Sequence, residues 1–285
     1  MRINFDQEEK WWDAKAANEE RDLADEVVNR ALRWREIERQ LENVETILDV
    51  GAGTGVFSIP LTQRGFSVTH LDFSSEMLAI ARQKANGLRN ISFAQGNAVN
   101  LSQFADRSFD LVLNLDGAIS FCGSEAGRAL SESCRVTRKK LIVTVSHRAW
   151  MVACFTIVSL LREKRLFPAV YEMIKTGQWH QEQYPDNALL SKGVTQDYLG
   201  ALKAFLPDEL RKIIVQSGMR ILRLGGLGSL ANLCGSEVLK PVLEDKVLFQ
   251  EFLNLCEDFD KEILPEGPGT KERAGLIAVA ERIGV

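Results

Sequence analysis

The stretch Ile47-Leu48-Asp49-Val50-Gly51-Ala52-Gly53-Thr54-Gly55, running into Val56-Phe57-Ser58-Ile59-Pro60-Leu61, constrains this chain more than any other. A short apolar run holding one acid, then three glycines on alternate positions, then an apolar periodic segment predicts a buried strand, a tight turn and a helix start. Glycine has no Cβ and accepts positive φ, so such a turn brings backbone N–H groups close to a ligand. The helix behind it points the positive end of its dipole at the same place. The same turn could also do no more than pack strand against helix. The dinucleotide fingerprint Gly-x-Gly-x-x-Gly fits poorly, because the third glycine comes one residue early and Val56 holds its place. An NAD-dependent oxidoreductase is therefore a weak reading.

With 285 residues the chain is long enough for one large α/β domain with insertions, or a domain plus a lid. A net charge of −4 leaves no excess of Lys and Arg to neutralise phosphates, which argues against nucleic acid as the main partner. Cys122, Cys134, Cys154, Cys234 and Cys256 are widely spaced and never form a Cys-x-x-Cys pair, so they read as reduced core thiols of a cytoplasmic protein. No His, Cys or carboxylate cluster suggests a metal. The N-terminal segment is acidic and helical in pattern, unlike a signal peptide. The longest apolar run, Ala149 to Leu161, has 13 residues, short of the roughly 20 that span a bilayer, so no membrane partner is expected.

Residues 5 to 42 carry Trp12, Ala16, Leu23, Val27, Ala31 and Trp34 at three- and four-residue intervals and read as helix. After the glycine turn, Phe66 to Ser74 reads as a second strand ending in Asp72, and Glu76 to Ala85 as helix. An acid at that strand end is placed to accept from both hydroxyls of a ribose. Asp72 or Ser74 could instead cap the next helix, and Ser74 can cap it without removing Asp72 from the ribose. Ile91 to Ala98 reads as a third strand and its exit loop, and Ser108 to Phe121 as a fourth strand and loop in which Asp110 is structural. A helix from Glu125 to Val136 leads to a fifth strand, Leu141 to Ser146. Strands alternating with helices predict a parallel, doubly wound sheet. Arg220 to Leu224 and Ala274 to Ala280 supply two later strands, the last antiparallel, and Pro207 to Gln216 a return helix. Gly225-Gly226-Leu227-Gly228 reads as a turn.

Several of these segments resemble one family. Asp49-Val50-Gly51-Ala52-Gly53-Thr54-Gly55 resembles motif I of the class I S-adenosylmethionine-dependent methyltransferases, and Leu71 to Leu78 resembles their motif II. Phe5-Asp6 followed by Trp12-Asp13 resembles the F-D-x(5)-Y-D segment of the ubiquinone/menaquinone type, which folds over the cofactor, with Trp12 where the family has Tyr. The resemblance covers roughly residues 5 to 146 and the final two strands. It implies a Rossmann-like fold with seven strands, the last antiparallel, and S-adenosylmethionine (SAM) as cofactor. Asp49, Gly51, Ala52, Gly53 and Gly55 would flank its methionine half, and Asp72, Phe73 and Met77 its ribose side. Asn97, where the family usually has Asp, would accept from the adenine N6 amino group without a charge, and the Ala98 N–H would donate to N1. Main-chain acceptors for the methionine amino group would come from the segment beginning at Asn114. Trp12 would offer its ring face to the sulfonium.

More than seventy residues separate the fifth strand from the sixth, and one return helix needs fewer than about twenty of them. The expected division is an N-terminal helical cover over 1–45, a cofactor-binding core over 46–147, a helical lid over 148–206, and completion of the core over 207–285 with a second helical insertion near 235–262. All three tyrosines, Tyr171, Tyr184 and Tyr198, fall in the lid, as do Trp150 and Trp179. Rings with polar handles suit a pocket wall, although simple lid packing also accounts for each of them. His180 and Glu182 could supply a general base, and His180, Tyr184 and Tyr171 are the candidate catalytic residues. Arg162, Lys164 and Arg165 read as a solvated helix face in preference to an attractor for an acidic substrate, and His70 and His147 as structural. Methyl transfer to N, O or C of a small molecule beneath the lid leads. A SAM-consuming lyase or cyclase of the azetidine-2-carboxylate synthase type, releasing methylthioadenosine, is the alternative, followed by a non-catalytic SAM-binding regulator.

Overall fold

The computed structural model describes residues 3–19, 24–115, 117–160, 164, 166, 168–180, 200–234, 236–263 and 275–284. Along the chain, α1 (Phe5–Lys15), a 3-10 turn (Ala16–Asn18) and α2 (Ala24–Arg39) precede β1 (Thr46–Val50), α3 (Ser58–Gln63), β2 (Ser67–Asp72), α4 (Ser75–Lys84) and β3 (Ile91–Gln95). Then come β4 (Phe109–Asn114), a second 3-10 turn (Ser120–Glu125), α5 (Ala126–Val136), β5 (Thr137–Val145), α6 (Arg148–Val158) and α7 (Pro168–Thr176). The remainder holds β6 (Gln178–His180), β7 (Ala201–Lys203), α8 (Pro207–Gln216), β8 (Met219–Gly225), α9 (Ser229–Cys234), α10 (Ser236–Glu244), α11 (Lys246–Asp258) and β9 (Leu276–Arg282).

Seven strands form one sheet in the order β3-β2-β1-β4-β5-β9-β8. The first five run parallel, and β9 is antiparallel to both of its neighbours. This is the α/β, doubly wound sheet with an antiparallel last strand that the strand pattern predicts. Strand alternation builds two cores. Leu48, Val112, Val143 and Ala278 bury against α5 and α8 on one face, while their neighbours Ile47, Leu111, Ile142 and Ile277 bury with Val28 and Leu32 of α2 on the other. In α5, Ala126, Ala129, Leu130, Ser133 and Cys134 are all buried, the i, i+3, i+4, i+7, i+8 stripe of a helix lying on a sheet.

Three segments depart from the sequence reading. The helix over 5–42 is two helices, α1 and α2, because their apolar residues serve different surfaces. Phe5 packs on one core, whereas Val28, Leu32 and Ile37 pack on the other. Strand β5 starts at Thr137, four residues ahead of expectation. Its charged opening, Arg138-Lys139-Lys140, is tolerated because Arg138 and Lys139 pair with Asp110 while Lys140 donates to the Gln40 carbonyl. The segment 148–206 is not purely helical, since β6 and β7 pair as an antiparallel ribbon. It has a core of its own in which Met151, Phe155, Met173 and Trp179 are buried. Trp179 stacks on Phe155 with ring centroids 4.6 Å apart, so it is packing and not pocket wall. At the base of the segment, the Arg148 guanidinium holds the Glu209 carboxylate at 2.5 Å and the Thr176 carbonyl at 3.2 Å.

Candidate functional site

At the carboxyl end of β1 the chain folds back on β2: the Gly51 and Ala52 N–H groups both donate to the Leu71 carbonyl, at 2.8 and 3.0 Å. Gly51, Gly53 and Gly55 all have positive φ. A Cβ on Gly51 would lie 2.5 Å from Cβ of Ala118, so only glycine lets this turn press against the loop after β4. Asp72, at the end of β2, accepts from Gly53 N–H through Oδ2 at 2.8 Å and from Ser74 N–H through Oδ1 at 2.9 Å. Burial pushes its carboxyl up to about 6 against the pull of those two amides, with Glu19 adding to the rise.

Helix α1 forms the roof. Asp13 accepts from the Ser74 hydroxyl at 2.5 Å and the Glu76 N–H at 3.2 Å, placing an anion on the N-terminus of α4, where the helix dipole favours it. Ser74 caps the same helix, accepting from Met77 N–H. Trp12 meets Phe121 edge-on at 5.2 Å. Asp13→Ala is therefore expected to loosen α1 and to weaken ligand binding beneath it about fivefold, the value of one or two hydrogen bonds, as read by calorimetry.

Roof, glycine turn and strand ends enclose about 710 Å³ of empty space, open mouth included. Of the expected cofactor residues, Trp12, Gly51, Gly53, Asp72, Phe73, Met77, Asn97 and Ala98 line it. Asn97 Oδ1 also accepts from Val99 N–H at 3.1 Å, and a carbonyl oxygen has room for a second donor. Four expected residues do not line the cavity. Asp49 is buried within β1. Ala52 and Gly55 shape the turn through their backbones, Gly55 N–H donating to the Ala52 carbonyl. Asn114 points to the α5 side, its amide donating to Ser133 Oγ at 3.1 Å, and Leu115 and Ala118 line the cavity where Asn114 was expected.

Neither Tyr171 nor His180 lines the cavity. Tyr171 lies on α7 with 53 % of its surface exposed. Tyr184 falls outside the described residues, as do Tyr198, Glu182, Arg162 and Arg165. His180 sits on β6 opposite Ala201, with both ring nitrogens buried and lacking hydrogen-bond partners among the described residues, and it does not line the cavity. His70 is structural: its Nδ1 pairs with Ser58 Oγ at 2.6 Å, and burial pulls the ring down to about 4. His147 caps α6 by accepting from Ala149 N–H. Glu8 and Glu19 line the cavity unannounced by the sequence reading. Glu8 stood between Phe5-Asp6 and Trp12-Asp13, which was the one signal that could have raised it.

The comparisons agree with this geometry. Residues 47–140 match the model of a methyltransferase domain. A demethylmenaquinone methyltransferase of Renibacterium salmoninarum is 34% identical over 134 residues, covering 44% of this chain and 54% of that protein. The chain thus spans about half the length of that curated relative. A SAM-dependent methyltransferase structure from Methanosarcina mazei superposes with a TM-score of 0.53 at 20% identity, covering 87% of this chain and 96% of that one. One from Mesorhizobium loti does so with a TM-score of 0.54 at 17% identity, covering 88% and 98%. Residues 47–140 thus match a methyltransferase domain, and the fold is the one found in solved SAM-dependent methyltransferases.

Proposed function

We propose that the chain is an enzyme that moves a methyl group from SAM to a small molecule admitted between α1 and the segment 148–206, which acts as its lid. The observation that carries this reading is that one cavity joins the glycine turn, Asp72 and the Asn97-Ala98 loop beneath the Trp12 roof. The residues fit the cofactor: Gly51 and Gly53 of the glycine turn line the cavity, and a buried carboxylate stands at the end of β2. Gly51 and Gly53 would hold its methionine half, Asp72 the ribose, Asn97 and Ala98 the adenine. When bound, SAM would supply an activated methyl whose C–S bond breaks with the electron pair staying on sulfur. The chain's own task is then orientation and exclusion of water, and positioning of that kind supplies several kcal/mol. Trp12 and Phe121 give the roof faces suited to a cation.

The five free cysteines suit a reducing compartment, so the cytoplasm is the proposed location. Among the described residues no helix is long and apolar enough to cross a membrane. Mass spectrometry of the purified protein with SAM and a pool of small acceptors tests the reaction. S-adenosylhomocysteine with a methylated acceptor is the expected outcome. Methylthioadenosine without S-adenosylhomocysteine would replace transfer by intramolecular cleavage, and tight binding without turnover would favour a regulator.

A further inference from the structure

Glu8 lines the cavity, and none of the proposed cofactor contacts uses it. It stands one helical turn before Trp12 on the same face of α1 and is only 3 % exposed. Its Oε1 is buried with no hydrogen-bond partner, while the carboxyl accepts from the Ala201 N–H at the start of β7. That approach is close because Gly123 has φ +51° and no Cβ: one built there would lie 2.7 Å from Cβ of Ala201. Burial pushes the Glu8 carboxyl up to about 7, with the Ala201 N–H opposing.

Its surroundings define what it can meet. The second 3-10 turn contributes the Cys122 thiol, pushed up to about 12 by burial with Glu8 and Glu125 nearby. Across the ribbon from Ala201 lies His180. Further along the wall are Glu19 and Asp72, and no Lys, Arg or His is among the described residues lining the cavity. The two ends differ. Glu19 stands near Asp72 at the β2 end, whereas Glu8 stands beside Cys122, with Ala201 of the segment inserted after β5 behind it. A buried carboxyl ionises only when a cation or donors arrive to offset its desolvation. An acidic acceptor would face three carboxyls.

We propose that Glu8 recognises the methyl acceptor as an amine and takes the proton from its ammonium nitrogen. This rests on the methyltransferase reading and names the substrate class of that site. The N–H bond breaks toward nitrogen, the proton passes to Glu8, and the freed nitrogen lone pair forms the N–C bond to the transferring methyl. The methylated nitrogen leaves as an ammonium, and Glu8 returns its proton to solvent.

Wild type and Glu8→Gln are compared in three measurements. First, with methyl-labelled SAM, a set of aliphatic and aromatic amines is offered beside matched phenols and carboxylic acids. Amines alone should be labelled, with a loss of about 100-fold in Glu8→Gln and partial recovery in Glu8→Asp. Second, calorimetric SAM affinity should be unchanged in Glu8→Gln. Third, ligand-free melting is followed from pH 5 to 8. Protonated Glu8 contributes stability that is full below its unfolded value of about 4.5 and lost as pH rises through about 7. Wild type should therefore lose melting temperature relative to Glu8→Gln as pH rises; Asp72, titrating in both proteins, cancels from the difference. Labelling of phenols or acids, no labelled amine, full turnover by Glu8→Gln, or parallel melting curves would each overturn the proposal. Failure of wild type to bind SAM would remove the methyltransferase reading, and this proposal with it.

Discussion

Asp72→Ala is expected to weaken calorimetric binding of SAM by at least about 100-fold while leaving a folded protein. The carboxylate accepts from Gly53 and Ser74 N–H, and hydrogen bonds to a charged acceptor contribute about 1.5–3 kcal/mol each. Removing it leaves both amides without that acceptor and frees Gly53, so the glycine turn would have to be ordered at the moment of binding. The ribose acceptor at the end of β2 goes with it. Asp72→Asn keeps one oxygen acceptor and loses the charge, so its affinity should fall between the other two. An affinity for Asp72→Ala equal to that of wild type would remove Asp72 from the cofactor site.

The second large effect is on stability. Asp110→Ala should lower the unfolding free energy by about 2–3 kcal/mol, mainly because two backbone amides lose a charged acceptor, measured by chemical denaturation. Its side chain is 1 % exposed. Oδ2 accepts from the Glu45 and Thr46 N–H groups at 3.0 and 3.2 Å, and Oδ1 pairs with Arg138 and Lys139 at 2.9 and 2.8 Å. Burial alone would raise the carboxyl, but Lys139, the two amides and Arg138 outweigh it and hold it well below the usual carboxylate range. A depressed folded value contributes stability that is present above the unfolded value of about 3.9 and lost as pH falls below it. Wild type should therefore lose its advantage over Asp110→Ala in acid. Two of the buried aspartates, 72 and 110, end with opposite shifts because the first meets amides and the Glu19 carboxyl, whereas the second meets amides and two cations.

What the chain revealed in advance depended on how local each cause was. The glycine turn, the parallel strands up to β5 and Asp72 at the end of β2 follow from backbone preferences and alternation within a few residues, and they hold in the fold. The Asn114 side chain turns to Ser133, a direction that alternation could not give because both faces of β4 are buried. Composition there cannot say which residue turns to the ligand, and Leu115 does. Glu8 sits among charged neighbours on a helix and reads as solvated. The Ala201 N–H that meets it comes from far along the chain. Trp179 carried the chemistry of a pocket ring but found Phe155 inside the inserted segment. The pairing β6–β7 joins strands of three residues each across a long intervening stretch, too short to register as periodicity.

The position of β9 has a consequence for synthesis. It follows β8 in the chain yet inserts between β5 and β8. A nascent chain emerging from the ribosome would thus carry β1 to β5 with an open edge along Leu141 to Val145 until residues 276–282 appear. An unpaired strand edge is a template for wrong partners, and a pairing across well over a hundred residues is slow to find. The window of greatest aggregation hazard should therefore come late in translation, when all the other described strands are made and the slot beside β5 is still waiting.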